Sequence, residues 1–429
     1  MPLPVNHPLR FELNDEVHAR PPEALSPPCR IGFLAVMPKL DQRQAEWQHV
    51  ADLCRTHNIE PPRQDANHFA VDFGNFRFTW ERHTEFTRYK FITPNAGEEL
   101  FTGPWVAPAM QGWIDGLLGE TLVAARVELR PAADRNLDAE AISKDYFSGN
   151  PVIGSAMSGR AATGFTDFRI RDDGFSRVLV LDHGLTPRQA GRIVQRILEI
   201  DTYRMLALLA FPVARGLGPF LSQHERELAE ITSVMTEGGI AQEQALLERL
   251  TRLEATIEDR FVNNYYRFNA SGAYYELVQR RIAELREERI PGLQTFQEFT
   301  ERRLAPAMTT CRTMEARIEA LSDRVSRSSQ LLTTRVAIER ERQNQNLLEA
   351  LANRARLQLR LQQTVEGLSI AAVTYYVVGL VGYLVKGFKS AFHGLEPEFV
   401  IALSVPFVAL AVAYGLHNVR KGLELEKEH

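Results

Sequence analysis

LSIAAVTYYVVGLVGYLV at residues 368–385 and FVIALSVPFVALAVAYGL at residues 399–416 are two apolar runs of 18 residues, each without a charged side chain. An α-helix of that length spans about 27 Å, close to the thickness of the hydrocarbon layer of a bilayer. A pair of buried core helices is the alternative. It is disfavoured because no comparable run is apparent elsewhere in the chain. The two runs predict transmembrane helices.

The segment KGFKSAFHGLEPE connects the two runs and has only 13 residues. Such a short connection predicts an antiparallel hairpin over residues 368–416, with both chain ends on one side of the membrane. The flanks outside the hairpin are basic, and residues 417–429 form a short tail. Because cytoplasmic flanks carry the excess of Lys and Arg, both ends are predicted to be cytosolic. The basic flanking residues are Arg354, Arg356, Arg360, Arg420 and Lys421.

Composition is consistent with a cytosolic location for the rest of the chain. The net charge is −4 and the basic residues alternate with Glu along helical stretches, a pattern of solvated helix faces that predicts no nucleic-acid partner. Cys29, Cys54 and Cys311 lie far apart without a CxxC spacing, so no disulfide framework is predicted. The N-terminus has no basic segment followed by an apolar one, which predicts that there is no cleavable signal peptide.

The N-terminal half is predicted to be mixed α/β. Residues 1–28 are rich in proline and are expected to form an extended arm. Residues 29–185 alternate short strand-like runs with helical ones, which predicts an α/β domain with a sheet of about six strands. In NFRFTWERH, Phe76, Phe78 and Trp80 alternate with polar residues, as expected for a strand with one buried and one exposed face.

The second half is predicted to be helical, so the fold class is α+β. Residues 186–305 form a helical domain that opens with a Thr cap and a Pro at the first helical position. Residues 263–272 are predicted to interrupt one of its helices. Residues 306–367 contain almost no helix-breaking residue and predict one long stalk helix that continues into the first membrane span.

Apolar residues spaced by four and three positions predict a coiled-coil seam along these helices. The spacing is found at Leu246, Leu250, Leu253 and Ile257, and again in the stalk at Met314, Ile318, Leu321 and Val325. Nearer the membrane it continues through Leu357, Leu361, Thr364, Leu368, Ala371, Tyr375, Val378 and Gly382. A single helix cannot bury a narrow apolar stripe alone, so the sequence predicts self-association.

Residues of this stripe are the candidate pore-lining residues if several copies pack around it. They are Thr364, Leu368, Tyr375, Val378 and Gly382.

The loop of the hairpin supplies a second candidate site. Glu396 and Glu398 would form an acidic ring in an oligomer and attract cations. The alternative is that they only keep the loop soluble, and Lys386 and Lys389 would weaken any acidic field.

Enzyme signatures are weak in this sequence. Nucleotide-binding, serine-hydrolase and zinc-protease motifs do not occur. Asp182-His183 lies at a predicted strand end, where a turn is the favoured interpretation. Glu16 and His18 could bind a metal, but a docking arm is the favoured reading because two ligands make a weak site. We therefore expect no enzyme activity and no cofactor, and no metal is assigned.

The opening HPLRFELNDEVHARPPEAL (residues 7–25) and the terminal TYYVVGLVGYLVKG (residues 374–387) resemble a bacterial family of membrane-anchored proteins, the domain of unknown function numbered 3422. The resemblance covers nearly the whole chain. It implies a multi-pass protein of the bacterial inner membrane and supplies no activity.

The order of elements also resembles the CorA-type cation channels. An N-terminal α/β domain, a stalk helix that enters the first span, a short loop and a second span are common to both. That resemblance implies a homo-pentamer, with the lipid bilayer and a cation as partners. The family's Gly-Met-Asn signature is missing, and residues 382–387 read Gly-Tyr-Leu-Val-Lys-Gly.

Two hypotheses about function follow. The first is a homo-oligomeric inner-membrane protein of CorA-like architecture that conducts or transports a cation and is gated by its cytosolic domain. The second is a membrane-anchored scaffold or regulatory protein without transport activity, in which the hairpin only tethers the soluble domain. The missing signature and the lysines of the loop favour the second hypothesis.

Overall fold

The computed structural model describes residues 4–11, 13–14, 22–94, 97, 99–106, 110–132, 138–237, 243–387 and 397–425. The chain divides into two compact units. The first comprises Met1–Gly238 and Ala245–Ser329, and the second comprises Gly239–Gln244 and Gln330–His429. The domain boundaries predicted at residues 185 and 305 both fall inside the first unit.

The first unit is built around one sheet, which has nine strands within the described residues. They are β1 (Cys29–Met37), β2 (His68–Asp72), β3 (Arg77–Arg82), β4 (Thr87–Pro94), β5 (Glu120–Pro131), β6 (Ile153–Met157), β7 (Ala162–Thr166), β8 (Ser176–Asp182) and β9 (Glu288–Arg289). Their order across the sheet is β2-β3-β4-β1-β5-β8-β7-β6-β9. Of these pairs only β5 and β8 run parallel.

The prediction of about six strands was too low. The apolar or alternating runs from β1 to β8 correspond to eight strands of the sheet. The ninth strand is the pair Glu288–Arg289, which bonds to Ser155 and Ala156 of β6. A strand of two exposed charged residues shows no alternation of polarity, so only its partner strand reveals it.

One face of the sheet carries an aromatic core. It packs against α1 (Arg43–Thr56), which follows the short helix Leu40–Gln42, and against α2 (Gln111–Asp115). Buried members of this core include Leu34, Val50, Phe78, Trp80, Tyr89 and Phe91. Glu46 of α1 is a carboxylate buried at this core. It accepts hydrogen bonds from the Tyr89 hydroxyl at 2.9 Å and the Trp80 indole at 3.3 Å. A buried charge is tolerated only with such partners.

The other face of the sheet is covered by α4 (Pro187–Leu208), which follows α3 (Ala139–Tyr146) and β8 in the chain. The predicted start of this helix is confirmed, because Thr186 and Gln189 form a capping box and Pro187 occupies the first turn. The apolar stripe of α4 that packs toward the sheet includes Ile193, Val194 and Ile197, which are at most 2% exposed.

Three helices form a bundle in the first unit. They are α5 (Ala210–Glu237), α6 (Glu243–Leu285) and the first part of α8 (Ala305–Gly387), while α7 (Phe296–Arg303) lies before α8 in the chain. Arg317 pairs with Glu225 at 2.8 Å, and Ser322 donates to Glu258 at 3.4 Å. The predicted seam residues Leu246, Leu250, Leu253, Ile257, Ile318, Leu321 and Val325 are buried.

The seam residues of the bundle are therefore buried by helices of the same chain. Neighbouring helices of the same chain cover the stalk stripe from Ile318 to Val325, so this part of the stripe does not require a second copy. The predicted interruption at residues 263–272 is wrong, since α6 is continuous from Glu243 to Leu285. A glycine within a helix costs only about 1 kcal/mol, which packing of the rest of the helix outweighs.

The second unit contains the two predicted spans. Residues 368–385 lie within α8, and residues 399–416 lie within α9 (Pro397–Leu425). The two helices meet where a Cβ placed on Gly382 would come within 3.3 Å of the Ile401 Cδ1 atom.

The expectation that no comparable apolar run exists elsewhere is wrong. Three helical stretches among the described residues are long and apolar enough to cross a membrane by composition: Pro187–Thr236, Phe296–Gly387 and Glu398–Leu416. A third of the apolar window of the first stretch is buried within the protein, against 6% and none in the other two. The first stretch therefore has more of its apolar surface inside the protein than the other two.

Candidate functional site: an ionic cluster under helix α4

Charged side chains lie on the sheet face that α4 covers. On β3 and β4 the aromatic residues point to one side, so the residues between them point to the other. Thr79 lies opposite Lys90, and Glu81 lies opposite Arg88. Thr79 and Glu81 were predicted to lie on the exposed face of their strand, but α4 lies over this face of the sheet. Arg88 is only 6% exposed and Thr79 only 3%.

Arg88 is the centre of the cluster. Its guanidinium lies 3.2 Å from the Glu199 carboxylate and 3.5 Å from that of Glu81, and it donates to the Tyr203 hydroxyl at 2.8 Å. Burial alone would lower the pKa of Arg88, but Tyr203, Glu199 and Glu81 outweigh it and raise the pKa above the ordinary value. The guanidinium therefore remains charged.

Helices α4 and α6 complete the cluster. Glu199 also accepts from Gln195 at 2.9 Å and from Arg281 of α6. Burial alone would raise the pKa of Glu199, but Arg88 and Arg281 lower it overall. Arg281 is in turn held by Glu284 at 2.9 Å. The network links sheet, α4 and α6, so α4 is joined to both neighbours by charge as well as by apolar packing.

The N-terminal arm closes the cluster. Glu23 pairs with Lys90 at 2.7 Å and accepts from the Thr79 hydroxyl. Leu25 is 2% exposed, and its amide donates to the Pro187 carbonyl at 2.9 Å. We define the ionic cluster as Glu23, Thr79, Glu81, Arg88, Lys90, Glu199, Tyr203 and Arg281. The cavity left between the arm, the sheet and α4 has a volume of about 30 Å³, enough for a water molecule.

The approach of the arm to α4 depends on one glycine. A Cβ placed on Gly191 would lie 1.7 Å from the Glu23 carbonyl oxygen. No side chain fits there without moving the arm. The described part of the predicted extended arm is thus fastened to the first unit at residues 22–25.

The pKa shifts in the ionic cluster are those expected of a structural role. Burial alone would raise the pKa of Glu81, but His83 with the charges of Arg88, Lys90 and His68 lowers it to about 2. A carboxyl with this pKa is ionised near neutral pH and is poorly suited to general acid catalysis there. Glu199 shares this direction of shift. The cluster holds charge in fixed positions.

Acid should therefore weaken the first unit. The folded pKa of Glu81 is about 2 against an ordinary 4.5, so the folded chain binds fewer protons between these values. Stability is complete above about pH 4.5 and is lost as the pH falls towards 2, by about 3 kcal/mol for this group. Urea unfolding, followed by the fluorescence of the four tryptophans between pH 7 and pH 2, should show this loss.

The Glu81→Gln variant should remove most of this slope below pH 4.5. The exposed Glu60→Gln substitution is the matched control and should keep it. Equal slopes in both variants would exclude Glu81 as the source.

The sequence-predicted candidates lie apart from the ionic cluster. Thr364, Leu368 and Tyr375 are exposed, and the Thr364 hydroxyl donates to the Arg360 carbonyl at 2.8 Å. Val378 is half-buried. Gly382 is buried and faces Ile401 of α9.

Other predicted candidates are also accounted for. Glu398 is exposed in the first turn of α9, whereas Glu16, His18, Lys389 and Glu396 lie outside the described residues. Asp182 accepts from the amides of Gly184 and Leu185, which is the turn that the sequence favoured over an active site.

Sequence reasoning missed the ionic cluster, although a signal was present. In TWERHTEFTRYK a hairpin register fixed by the turn sets Glu81 opposite Arg88 and Thr79 opposite Lys90. Complementary charges across neighbouring strands are found on solvated sheets as well, so this pattern does not tell whether the face is covered.

Comparison with known proteins identifies a family only. A family model described as "Protein of unknown function (DUF3422)" matches residues 5–423. No curated protein and no solved structure matches the chain.

Proposed function

The chain belongs to the DUF3422 family, and from this premise we propose that it is a membrane-anchored, self-associating scaffold or regulatory protein. In this proposal the first unit presents a folded surface in the cytosol of a bacterium. The apolar helices of the second unit tether it to the inner membrane.

The observation that carries the proposal is the exposure of large apolar side chains on both predicted spans. Leu368, Tyr375 and Tyr383 on α8 are 75, 78 and 79% exposed, and Phe407 and Leu410 on α9 are 69 and 70% exposed. Burying one such side chain is worth about 1.5–3 kcal/mol. Soluble proteins rarely expose contiguous apolar patches above a few hundred Å². A bilayer removes this surface from water.

The Gly382–Ile401 approach favours a tether. A small residue where two membrane helices meet lets their backbones come close. Gly382 thus contacts the second helix of the same chain, although it was predicted to face a pore. The basic flanks before and after the two runs support cytosolic placement of both ends.

Self-association rests on the part of α8 nearer the first span. Leu347, Leu357 and Leu361 are 60, 63 and 60% exposed. They lie on one side of the helix, in the same four-and-three rhythm that continues into the span. A second copy presenting the same stripe would cover it, since identical parallel helices match in register.

Oligomeric mass tests this proposal. Full-length protein, extracted in mild detergent from carbonate-washed membranes, is expected to have the mass of an oligomer by light scattering. The double variant Leu357→Ser, Leu361→Ser should lower that mass, because each serine removes an apolar contact repeated in every copy. A protein that carbonate washes off the membrane would contradict the anchor.

The chain offers a matched control for this variant. Leu348 and Leu359 are 64 and 53% exposed and lie on the opposite side of the same helix. The variant Leu348→Ser, Leu359→Ser should keep the wild-type mass. If the two double variants have equal masses, the stripe that contains Leu357 and Leu361 is not the interface between copies.

A CorA-like cation channel is the second candidate. It is favoured by the exposure of Thr364, Leu368 and Tyr375, which leaves these side chains free to line a pore between copies. The same measurement separates the two. Two membrane helices per copy cannot enclose a pore in a monomer or dimer, so either mass leaves only the tethered scaffold. A pentamer would favour the channel, and cation flux into liposomes would then decide.

A further inference from the structure

A second and larger cavity lies beside the ionic cluster in the first unit. It has a volume of about 460 Å³, within the 300–1,000 Å³ typical of small-molecule sites. The β3–β4 turn contributes His83, Thr84 and Phe86, α1 contributes Arg43, and α6 contributes Tyr274 and Leu277. We call it the Arg43 cavity.

The charge that faces this cavity is positive. Its permanent cations are Arg43 and Arg82, and no carboxylate lines it among the described residues. Arg82 is fixed by Glu46 at 3.2 Å and by the Arg43 carbonyl at 2.9 Å. Glu85, in the same turn, is bound by Arg267 and by the Tyr274 hydroxyl. The nearby negative charges are thus already bound by other groups.

Arg43 is the cation with capacity to spare. Its guanidinium donates to the Thr84 carbonyl at 2.9 Å, and the described residues show no carboxylate bonded to it. A guanidinium carries five N–H donors in one plane, so most remain for a ligand. Carboxylates and phosphates are the groups that this geometry binds best.

Aromatic rings form the wall of the cavity. The His83 ring stacks on Phe86 at 4.5 Å with an interplanar angle of 14°. Tyr203 stacks on Tyr274 at 5.9 Å, and Phe86 meets Tyr274 edge to face. Phe86 itself is 2% exposed, so the ring surface offered to a ligand is that of His83 and Tyr274, which Phe86 holds in place at little entropic cost.

We propose that the Arg43 cavity binds a small planar aromatic anion. Its carboxylate, or an equivalent acidic group, pairs with Arg43, and its ring lies against His83 and Tyr274. The site is independent of the membrane anchor and would give the scaffold a ligand to which it responds.

Benzoate is the probe, and full-length protein in detergent is the sample for isothermal titration calorimetry. Benzoate should bind to the wild type, and benzylamine, the same ring with a cation, should not. Arg43→Gln should raise the dissociation constant of benzoate about tenfold or more, because it removes a charge-assisted hydrogen bond. Leu277→Trp should also weaken binding, because the larger ring narrows the cavity and leaves its charge unchanged.

Arg55→Gln is the matched control on the same helix. Arg55 pairs with Asp52 at 2.7 Å and does not line the cavity, so its benzoate affinity should equal that of the wild type. The proposal is overturned if benzoate does not bind, if benzylamine binds as tightly, or if Arg43→Gln and Arg55→Gln have the same affinity.

Discussion

Arg88→Met is expected to lower the free energy of unfolding of the first unit by about 3–5 kcal/mol. Arg88 is 6% exposed and is the cation shared by Glu199 and Glu81. Methionine fills a similar volume but leaves two carboxylates under α4 without that partner. All four tryptophans of the chain lie in this unit. Urea unfolding followed by their fluorescence therefore measures the effect.

Two further variants decide whether charge or packing is responsible. Arg55→Met removes an exposed ion pair with Asp52 and should cost at most about 1 kcal/mol. Adding Glu199→Gln to Arg88→Met should recover part of the loss, because it removes the stranded charge. If the double variant is no more stable than Arg88→Met, the loss comes from packing and not from charge. If Arg88→Met is as stable as Arg55→Met, the ionic cluster does not stabilise the first unit.

Gly191→Ala should release the N-terminal arm from the first unit. The new methyl group would overlap the Glu23 carbonyl, which is backbone and cannot rotate away. Displacing the arm exposes Leu25 and breaks the Glu23–Lys90 pair, a loss of about 2–4 kcal/mol. Alanine returns about 1 kcal/mol through its greater helix propensity. Hydrogen exchange of the Leu25 amide, which donates to the Pro187 carbonyl, should accelerate at least tenfold.

Gly216→Ala is the matched control for this prediction. Gly216 also lies within a helix, but nothing approaches the position of its Cβ within 4 Å. The substitution should leave exchange of the arm unchanged and should stabilise α5 slightly. Equal exchange of the Leu25 amide in the two variants would show that Gly191 does not hold the arm.

The ionic cluster explains why only some properties of α4 were predicted from the sequence. Its start at Thr186-Pro187 is encoded by local capping chemistry and was predicted correctly. Its burial of Glu199 was not, because a glutamate in an amphipathic helix is usually solvated. Only Arg88 and Arg281, which are distant in the chain, make that burial tolerable.

The stalk shows the same division between local and distant information. Its continuity from Ala305 to Gly387 follows from the near absence of helix-breaking residues and was predicted. The seam looked alike along its whole length. Yet Ile318 and Leu321 are covered within the chain, and Leu357 and Leu361 are exposed. The spacing of apolar residues predicts that a stripe is covered, but it does not predict which helix covers it.

The sequence by itself determined the apolar or alternating runs that form β1 to β8, the long helix and the two apolar runs, because alternation, capping and hydropathy act between residues close in the chain. Tertiary structure alone decided that Thr79, Glu81, Arg88 and Lys90 are covered by α4 and the arm. It also alone brought Arg43 and Tyr274 to one cavity. The physical reason is that a polar face is stable either in water or against complementary charges, and residues far along the chain supply those charges.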